Sequence, residues 1–203
     1  MKANKTKILN RAILIGSVIM DSIMQSYAYI LGLFYGDGTL HKGKNGAYQV
    51  WIDQSSKNKY ILEFATIPRL KLMNVKPYFY QFNDWRHQLR KYRLALYSKA
   101  LFEKLKEVKQ DPVKYLKTLE DSEVVYFIAG LFDSEGTKTD RLVIYNGNLR
   151  LLEEVKRRLN NFNIHCKIYK FGSIYGLQIH RKTSVEIFLK LIPSYKLTTS
   201  SPG

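Results

Sequence analysis

The sequence predicts an α+β fold built from two related halves, and three observations carry that prediction. Residues 28–38 (AYILGLFYGDG) and 127–136 (FIAGLFDSEG) are two copies of an apolar, glycine-spaced run that ends in an acid and a glycine. The segments after each copy recur in one order, with strand-like runs grouped beside helical ones rather than strictly alternating with them. A polar stretch containing Pro112, Lys109–Glu123, separates the copies and reads as a linker. Asp37 and Glu135 occupy matching positions 98 residues apart in a chain of 203, so each half presents one carboxylate.

The elements follow from residue periodicity. In the first half, Ala47–Gln54 alternates, with Tyr48, Val50 and Ile52 on one face and Gln49, Trp51 and Asp53 on the other. A helical pattern spans about Lys57 to Met73. Strands are predicted over Pro77–Phe82 and Trp85–Tyr97, with a turn at Asn83-Asp84, and a helix over Leu101–Val108. The second half repeats the order: strand Arg141–Asn146, helix Leu149–Asn160, hairpin strands Lys167–Phe171 and Tyr175–His180, and helix Thr183–Ile192. The predicted division is an N-terminal extension (1–26), a first half (27–108), a linker (109–123), a second half (124–192) and a C-terminal tail (193–203), fraying from Thr198.

Composition narrows the function. There are 33 Lys+Arg against 17 Asp+Glu, a formal net charge of +16, which favours a polyanionic partner: DNA, RNA or a membrane surface. A structural RNA binder shares that balance. The 15 Tyr and 10 Phe argue against a disordered basic chain. The single cysteine, Cys166, excludes an internal disulfide framework and a cysteine-based zinc site. His41, His87, His165 and His180 are scattered without metal-ligand pair spacing. Lys2, Lys5, Lys7 and Arg11 precede the apolar run Ala12–Met20, which is too short to span a bilayer. Ile13, Leu14, Val18, Ile19, Ile23 and Met24 recur at helical spacing, so a helix packed on the body is predicted, with no membrane partner and a cytoplasmic location.

The repeated motif makes a physical demand. Gly32 and Gly36 lie four apart, as do Gly130 and Ser134, so each pair shares a helix face. Small residues there let two backbones approach, and the motif helices could be each other's partner. Gly38 and Gly136 are placed to cap them in the left-handed conformation. Asp37 and Glu135 then sit at helix C-termini, where a carboxylate is disfavoured by roughly 0.3–1 kcal/mol. Two such acids brought together also repel each other. A divalent cation reverses that sign, and carboxylate-held cations can activate water at a phosphodiester. Gly38–Asn45 (GTLHKGKN) nearly matches a phosphate-binding loop, but it lacks the final Ser/Thr and follows a helix.

Ile30–Gly38 (ILGLFYGDG) and Ile128–Gly136 (IAGLFDSEG) resemble the two motifs of single-chain LAGLIDADG homing endonucleases, and the archaeal intron-encoded type is the most similar in size and layout. The resemblance covers nearly all of residues 27–192. It implies two pseudo-twofold αββαββα units, motif helices at their interface and two antiparallel sheets in the DNA major groove. It also implies site-specific double-strand cleavage of a long site, leaving short 3′ overhangs, by a monomer using Mg²⁺ or another divalent cation such as Mn²⁺. Asp37 and Glu135 would bind the metals, with Gly36 and Ser134 as adjoining metal positions; Gln54 and Lys138 would assist catalysis. Tyr35 stands where the family name has an acid, which Asp133 keeps, and Ser55 stands where relatives often carry a lysine.

If one face of each sheet packs under helices, the other reads bases. That face carries Gln49, Trp51, Asp53, Lys91 and Arg93 in the first half. In the second it carries Arg141, Val143, Tyr145, Gln178 and His180. Gln and Arg can pair with adenine and guanine edges. Lys42 and Lys44 in loop Leu40–Asn45, with Arg86 and Gln88 in Arg86–Lys91, would add phosphate contacts. The halves differ at these positions, so the site is predicted to be asymmetric. Two rival readings are an intron RNA maturase and a cleavage-inactive DNA-binding module.

Overall fold

The computed structural model describes residues 2–84 and 88–198, with side chains from residue 18 onward; Arg86 and the tail from residue 199 lie outside the described residues. The order is α1 (Lys2–Asp37), β1 (Gly38–Lys42), β2 (Tyr48–Ser55), a helical segment ending in α2 (Ile67–Leu72), β3 (Pro77–Asp84), β4 (Leu89–Tyr97) and α3 (Lys99–Gln110). Then come α4 (Pro112–Thr118), α5 (Asp121–Glu135), β5 (Gly136–Lys138), β6 (Leu142–Asn146), α6 (Leu149–Asn161), β7 (Lys167–Phe171), β8 (Ile174–Ile179), α7 (Lys182–Leu191) and α8 (Tyr195–Thr198). Two four-stranded antiparallel sheets share one topology, β1-β2-β4-β3 and β5-β6-β8-β7. The α+β fold of two αββαββα units is therefore as the sequence predicts. Even the helix ends match: Asn74 and Asn163 both adopt positive φ after α2 and α6, and the next N–H (Val75, Ile164) bonds back to Leu70 or Leu159.

One core runs between the halves. Helices α1 and α5 make the most extensive contact in the molecule. A Cβ on Gly32 would strike the Phe127 carbonyl oxygen and Leu131 N, and one on Gly130 would strike the Tyr29 carbonyl oxygen and Leu33 N. The small residues thus allow backbone-to-backbone approach. Val50, Ile52, Leu94 and Leu96 of the first sheet, and Leu142, Ile144, Leu177 and Ile179 of the second, pack beneath the helices.

Four expectations need correction. Gly38 and Gly136 are not left-handed caps: Gly136 has φ −85° and ψ 150°, and positive-φ glycines among the described residues are Gly46 and Gly172. Their side-chain-free Cα atoms instead let the chain leave each helix directly beneath Phe34 or Phe132, whose atoms a Cβ would overlap. The N-terminal extension is helical, as predicted, but most of its described side chains are not packed on the body. It runs unbroken into the first motif as α1, and Val18 (60% exposed), Ile19 (49%) and Met20 (57%) face solvent. The loop Leu40–Asn45 begins as strand, since β1 reaches Lys42, and the turn predicted at Asn83-Asp84 is the end of β3.

The linker is also structured. Asp111 caps α4 by accepting from Lys114 N, Pro112 takes the first turn, and Val113, Leu116 and Leu119 are buried. Arg158 of α6 latches it: its Nη2 donates to the carbonyls of Leu116 (2.9 Å), Lys117 (3.1 Å) and Leu119 (3.1 Å). Those are carbonyls that the end of α4 leaves without helical partners. Arg158→Met is expected to lower stability by about 3 kcal/mol, because it strands buried acceptors. Chemical denaturation reads this; an unchanged midpoint would mean that water replaces the guanidinium without cost.

Candidate metal centre and nucleic-acid interface

The two motif helices end side by side. A Cβ on Gly36 would meet the Ser134 side chain and Glu135 Cγ, so no atom separates the last turns of α1 and α5. Asp37 and Glu135 lie there, half-buried, where β1 and β5 leave their helices. Gln54, nearly buried on the helix-facing side of β2, donates a very short hydrogen bond from Nε2 to Asp37 Oδ2. Asp37, Gln54, Ser55, Asn58, Lys91 and Ser134 contribute to a polar pocket of about 420 Å³ at this point.

Burial and the neighbouring Glu135 charge push the Asp37 carboxyl up to about 7, against the opposing pull of Lys196 and Gln54. Burial raises Glu135 as well, again opposed by Lys196. The pair is thus costly to ionise in the metal-free protein. Carboxylate and carbonyl oxygens suit a hard divalent cation. Among the described residues no group of three His, Cys, Asp or Glu is placed to hold a metal, so the carboxylates would act with main-chain oxygens and water.

Not every predicted catalytic neighbour is engaged. Lys138 stands exposed at the end of β5. The Ser134 hydroxyl is spent on the Gly130 and Leu131 carbonyls, and its own carbonyl accepts from Lys196 Nζ (3.0 Å). Asn146, the counterpart of Gln54, turns its Oδ1 to Asn148 N (2.8 Å).

Lys196 is the residue that sequence reasoning missed. Its Nζ also reaches the Gly136 carbonyl (3.2 Å), so its charge lies against the backbone on both sides of Glu135. Burial lowers its pKa, while Asp37, Asp133 and Glu135 work to hold the proton. Asp133, fully buried, puts it there. The Asp133 carboxylate accepts from Tyr29 Oη (2.7 Å), Ser194 Oγ (2.5 Å), Tyr195 N (3.0 Å) and Lys196 N (2.9 Å). The C-terminal segment is thereby fastened to α5. In the first half the equivalent residue, Tyr35, accepts from Asn148 Nδ2 (3.0 Å) of the other half. Asp133→Ala is expected to release Ser194–Lys196 and speed amide exchange at Tyr195 and Lys196, while the α1–α5 core stays protected. Unaltered exchange there would show that the segment is held by something else.

The sheet faces turned away from the helices differ between the halves. On the first, His41 stacks on Trp51 with centroids 4.5 Å apart, and the Arg93 guanidinium lies over the rings of Trp51 (3.9 Å) and Phe82 (4.4 Å). Gln49 accepts from Trp51 Nε1 (3.1 Å), and Lys91 pairs with Asp84 at 2.7 Å. Lys42, Lys44 and Gln88 are exposed, Gln88 with a φ of 51°. On the second, Arg141 and His180 are exposed and Tyr145 is partly so. Val143 (3% exposed) and Gln178 (9%) are covered, contrary to a free face. The Phe171 ring lies over Gly176, where a Cβ would come 2.7 Å from it and 3.2 Å from Val143 Cγ1, and its edge meets Tyr145. Among the described residues no helix is long and apolar enough to cross a membrane.

One chain thus carries a pseudo-dimer, with one acid per half at the seam and a sheet to either side. Comparison with known proteins places this architecture. The LAGLIDADG-like domain family matches residues 122–193. The homing endonuclease I-DmoI of Desulfurococcus mucosus is 32% identical over 180 residues, covering 83% of this chain and 88% of that protein. A structure of mesophilic I-DmoI variants superposes with a TM-score of 0.69 at 30% identity, covering 89% of this chain and 95% of the other. I-DmoI in complex with DNA and Mn gives 0.67 at 28% identity, covering 85% and 99%. The chain belongs to the LAGLIDADG homing endonuclease family.

Proposed function

We propose that the protein is a site-specific, divalent-metal-dependent DNA endonuclease that cuts both strands of a long asymmetric site, leaving short 3′ overhangs. The observation that carries this is the convergence of Asp37 and Glu135 at adjoining helix ends in a site that disfavours their charge. A protein gains nothing in stability from that placement, whereas a cation between them, such as Mg²⁺ or Mn²⁺, repays it. When bound, that cation would supply Lewis-acid and water-activating chemistry. Asp37 and Glu135 would hold it, and Gln54 would orient Asp37 through its hydrogen bond. Lys138 is free to approach a phosphate. The net charge of +16 would draw the duplex onto the sheets, with binding that weakens steeply as salt rises. The family's relative I-DmoI has been seen with DNA and Mn, which supports the same substrate and a divalent cation here. The two halves in one chain support action as a monomer.

The test is incubation with a randomised duplex library and Mg²⁺, in parallel with a chelator control, followed by sequencing of the broken ends. Defined double-strand breaks with 3′ overhangs, absent in chelator and in Glu135→Gln, are expected. Sequence-specific binding without breaks in Mg²⁺ or Mn²⁺ would overturn the nuclease reading.

A further inference from the structure

On the first sheet, Asp53 and Arg93 form one unit. They are cross-strand partners, Asp53 on β2 facing Arg93 on β4. Arg93 Nε donates to Asp53 Oδ1 and Nη2 to Asp53 Oδ2, both at 2.7 Å. The guanidinium also lies over two rings, Trp51 from β2 (3.9 Å) and Phe82 from β3 (4.4 Å). Tyr80, opposite it on β3, adds a further hydrogen bond. A guanidinium has two edges that can donate in pairs. Here the Nε–Nη2 edge is consumed by the carboxylate, the Trp51 and Phe82 rings pack against the guanidinium, and Nη1 is not used by Asp53.

An acid in the middle of a surface meant for a polyanion is costly unless it does something there. Asp53 holds the guanidinium in one plane, so that its ordering is complete before DNA arrives. A long, flexible side chain so fixed loses little further entropy on binding. β4 is an inner strand of the sheet, away from the edges where a groove's phosphates would run. A planar pair of N–H donors placed there matches guanine, whose O6 and N7 are paired acceptors in the major groove.

We infer that Arg93, buttressed by Asp53, is a specificity-determining residue that reads a guanine, and that Asp53 is its positioning residue rather than a second reader. This rests on the reading of the chain as a sequence-specific DNA-binding enzyme. Asp53 and Asp37 line the same pocket, so the guanine belongs to the inner part of the first half-site, beside the point of cleavage. The ring packing distinguishes this arginine from Arg141 on the other sheet, which is exposed and pairs with its own neighbour Asp140.

The experiment is selection from a randomised duplex library, by binding in chelator and separately by cleavage in Mg²⁺, with wild type, Arg93→Lys and Asp53→Asn. Lysine keeps the charge without the fork, and asparagine keeps the shape without the second charged acceptor. Wild type is expected to require guanine at one inner position. Both variants are expected to relax that position alone, by about ten- to a hundredfold. Uniform weakening across all positions would overturn the inference, since that is the signature of a phosphate contact or a damaged fold. Relaxation in Arg93→Lys but not in Asp53→Asn would overturn the role of Asp53. Selective binding with no cleavage would defeat the nuclease reading yet leave the guanine position readable; no selectivity at all would defeat both.

Discussion

Asp37→Asn is expected to cost roughly a thousandfold or more in double-strand cleavage, about 4 kcal/mol of transition-state stabilisation, and at the same time to make the metal-free protein more stable at pH 8. The two effects have one origin. In the unfolded chain an aspartate titrates near 3.9; in the folded protein burial first, and Glu135 second, push Asp37 up to about 7. Between those values the unfolded chain has released its proton while the folded chain keeps it. The unfolded state then binds fewer protons, so stability falls as pH rises from about 4 to about 7 and stays low above. The full penalty is about 4 kcal/mol, and the upward shift of Glu135 has the same sign. Lys196 and Gln54 face the same carboxyl and soften the penalty, and Asp53 adds to it. An asparagine at 37 carries no charge to bury and can still accept from Gln54. In chelator, thermal unfolding of wild type is expected to drop from pH 5.5 to pH 8 more than that of Asp37→Asn, and a divalent cation is expected to restore it. A variant no more stable than wild type at pH 8 without metal would show that the acids are not destabilising there.

That coupling of cost to chemistry was legible in the sequence because it is local. An acid followed by glycine, at the end of an apolar helical run, can be recognised without knowing the fold, and its repetition implied the partner. Alternation likewise gave β2 its helix-facing Val50 and Ile52, both buried. Strands β1 and β5 were not separable, since three to five residues after a glycine are too few to establish a period. The linker's helix was signalled by Asp111-Pro112, an N-cap followed by a first-turn proline, although the polar composition around it read as a loop. Gly38 and Gly136 show a different kind of limit. Glycine after a helix serves either a left-handed backbone or close approach, and only the position of Phe34 and Phe132 decides between them. The fastening of Ser194–Lys196 to Asp133 joins residues more than sixty apart, and no spacing rule reaches that far. The same holds for Phe171 over Gly176, on a face that alternation alone declares open.

The largest structural effect is expected from Gly130→Ala. Alanine is the better helix former by about 1 kcal/mol, so helix propensity alone favours the change. The interface opposes it more strongly. The added Cβ would fall on the Tyr29 carbonyl oxygen and within 2.8 Å of Leu33 N, main-chain atoms of α1 that no rotamer change can move aside. Relief requires α1 and α5 to part along a seam that includes Tyr29, Leu33, Phe127 and Leu131, all fully buried, and each then loses packing on both sides. A loss of several kcal/mol is expected, against a total stability of about 5–15 kcal/mol for a domain. Gly147→Ala is the control, because nothing lies within 4 Å of its added Cβ. Urea denaturation is expected to show a wild-type-like transition for Gly147→Ala and a much earlier or absent one for Gly130→Ala. Any folded fraction of the latter has its helix ends displaced, so Asp37 and Glu135 no longer adjoin and cleavage fails as well. A Gly130→Ala protein with a wild-type midpoint would mean that the helices do not meet backbone to backbone, and the pairing of the two acids would lose its structural basis.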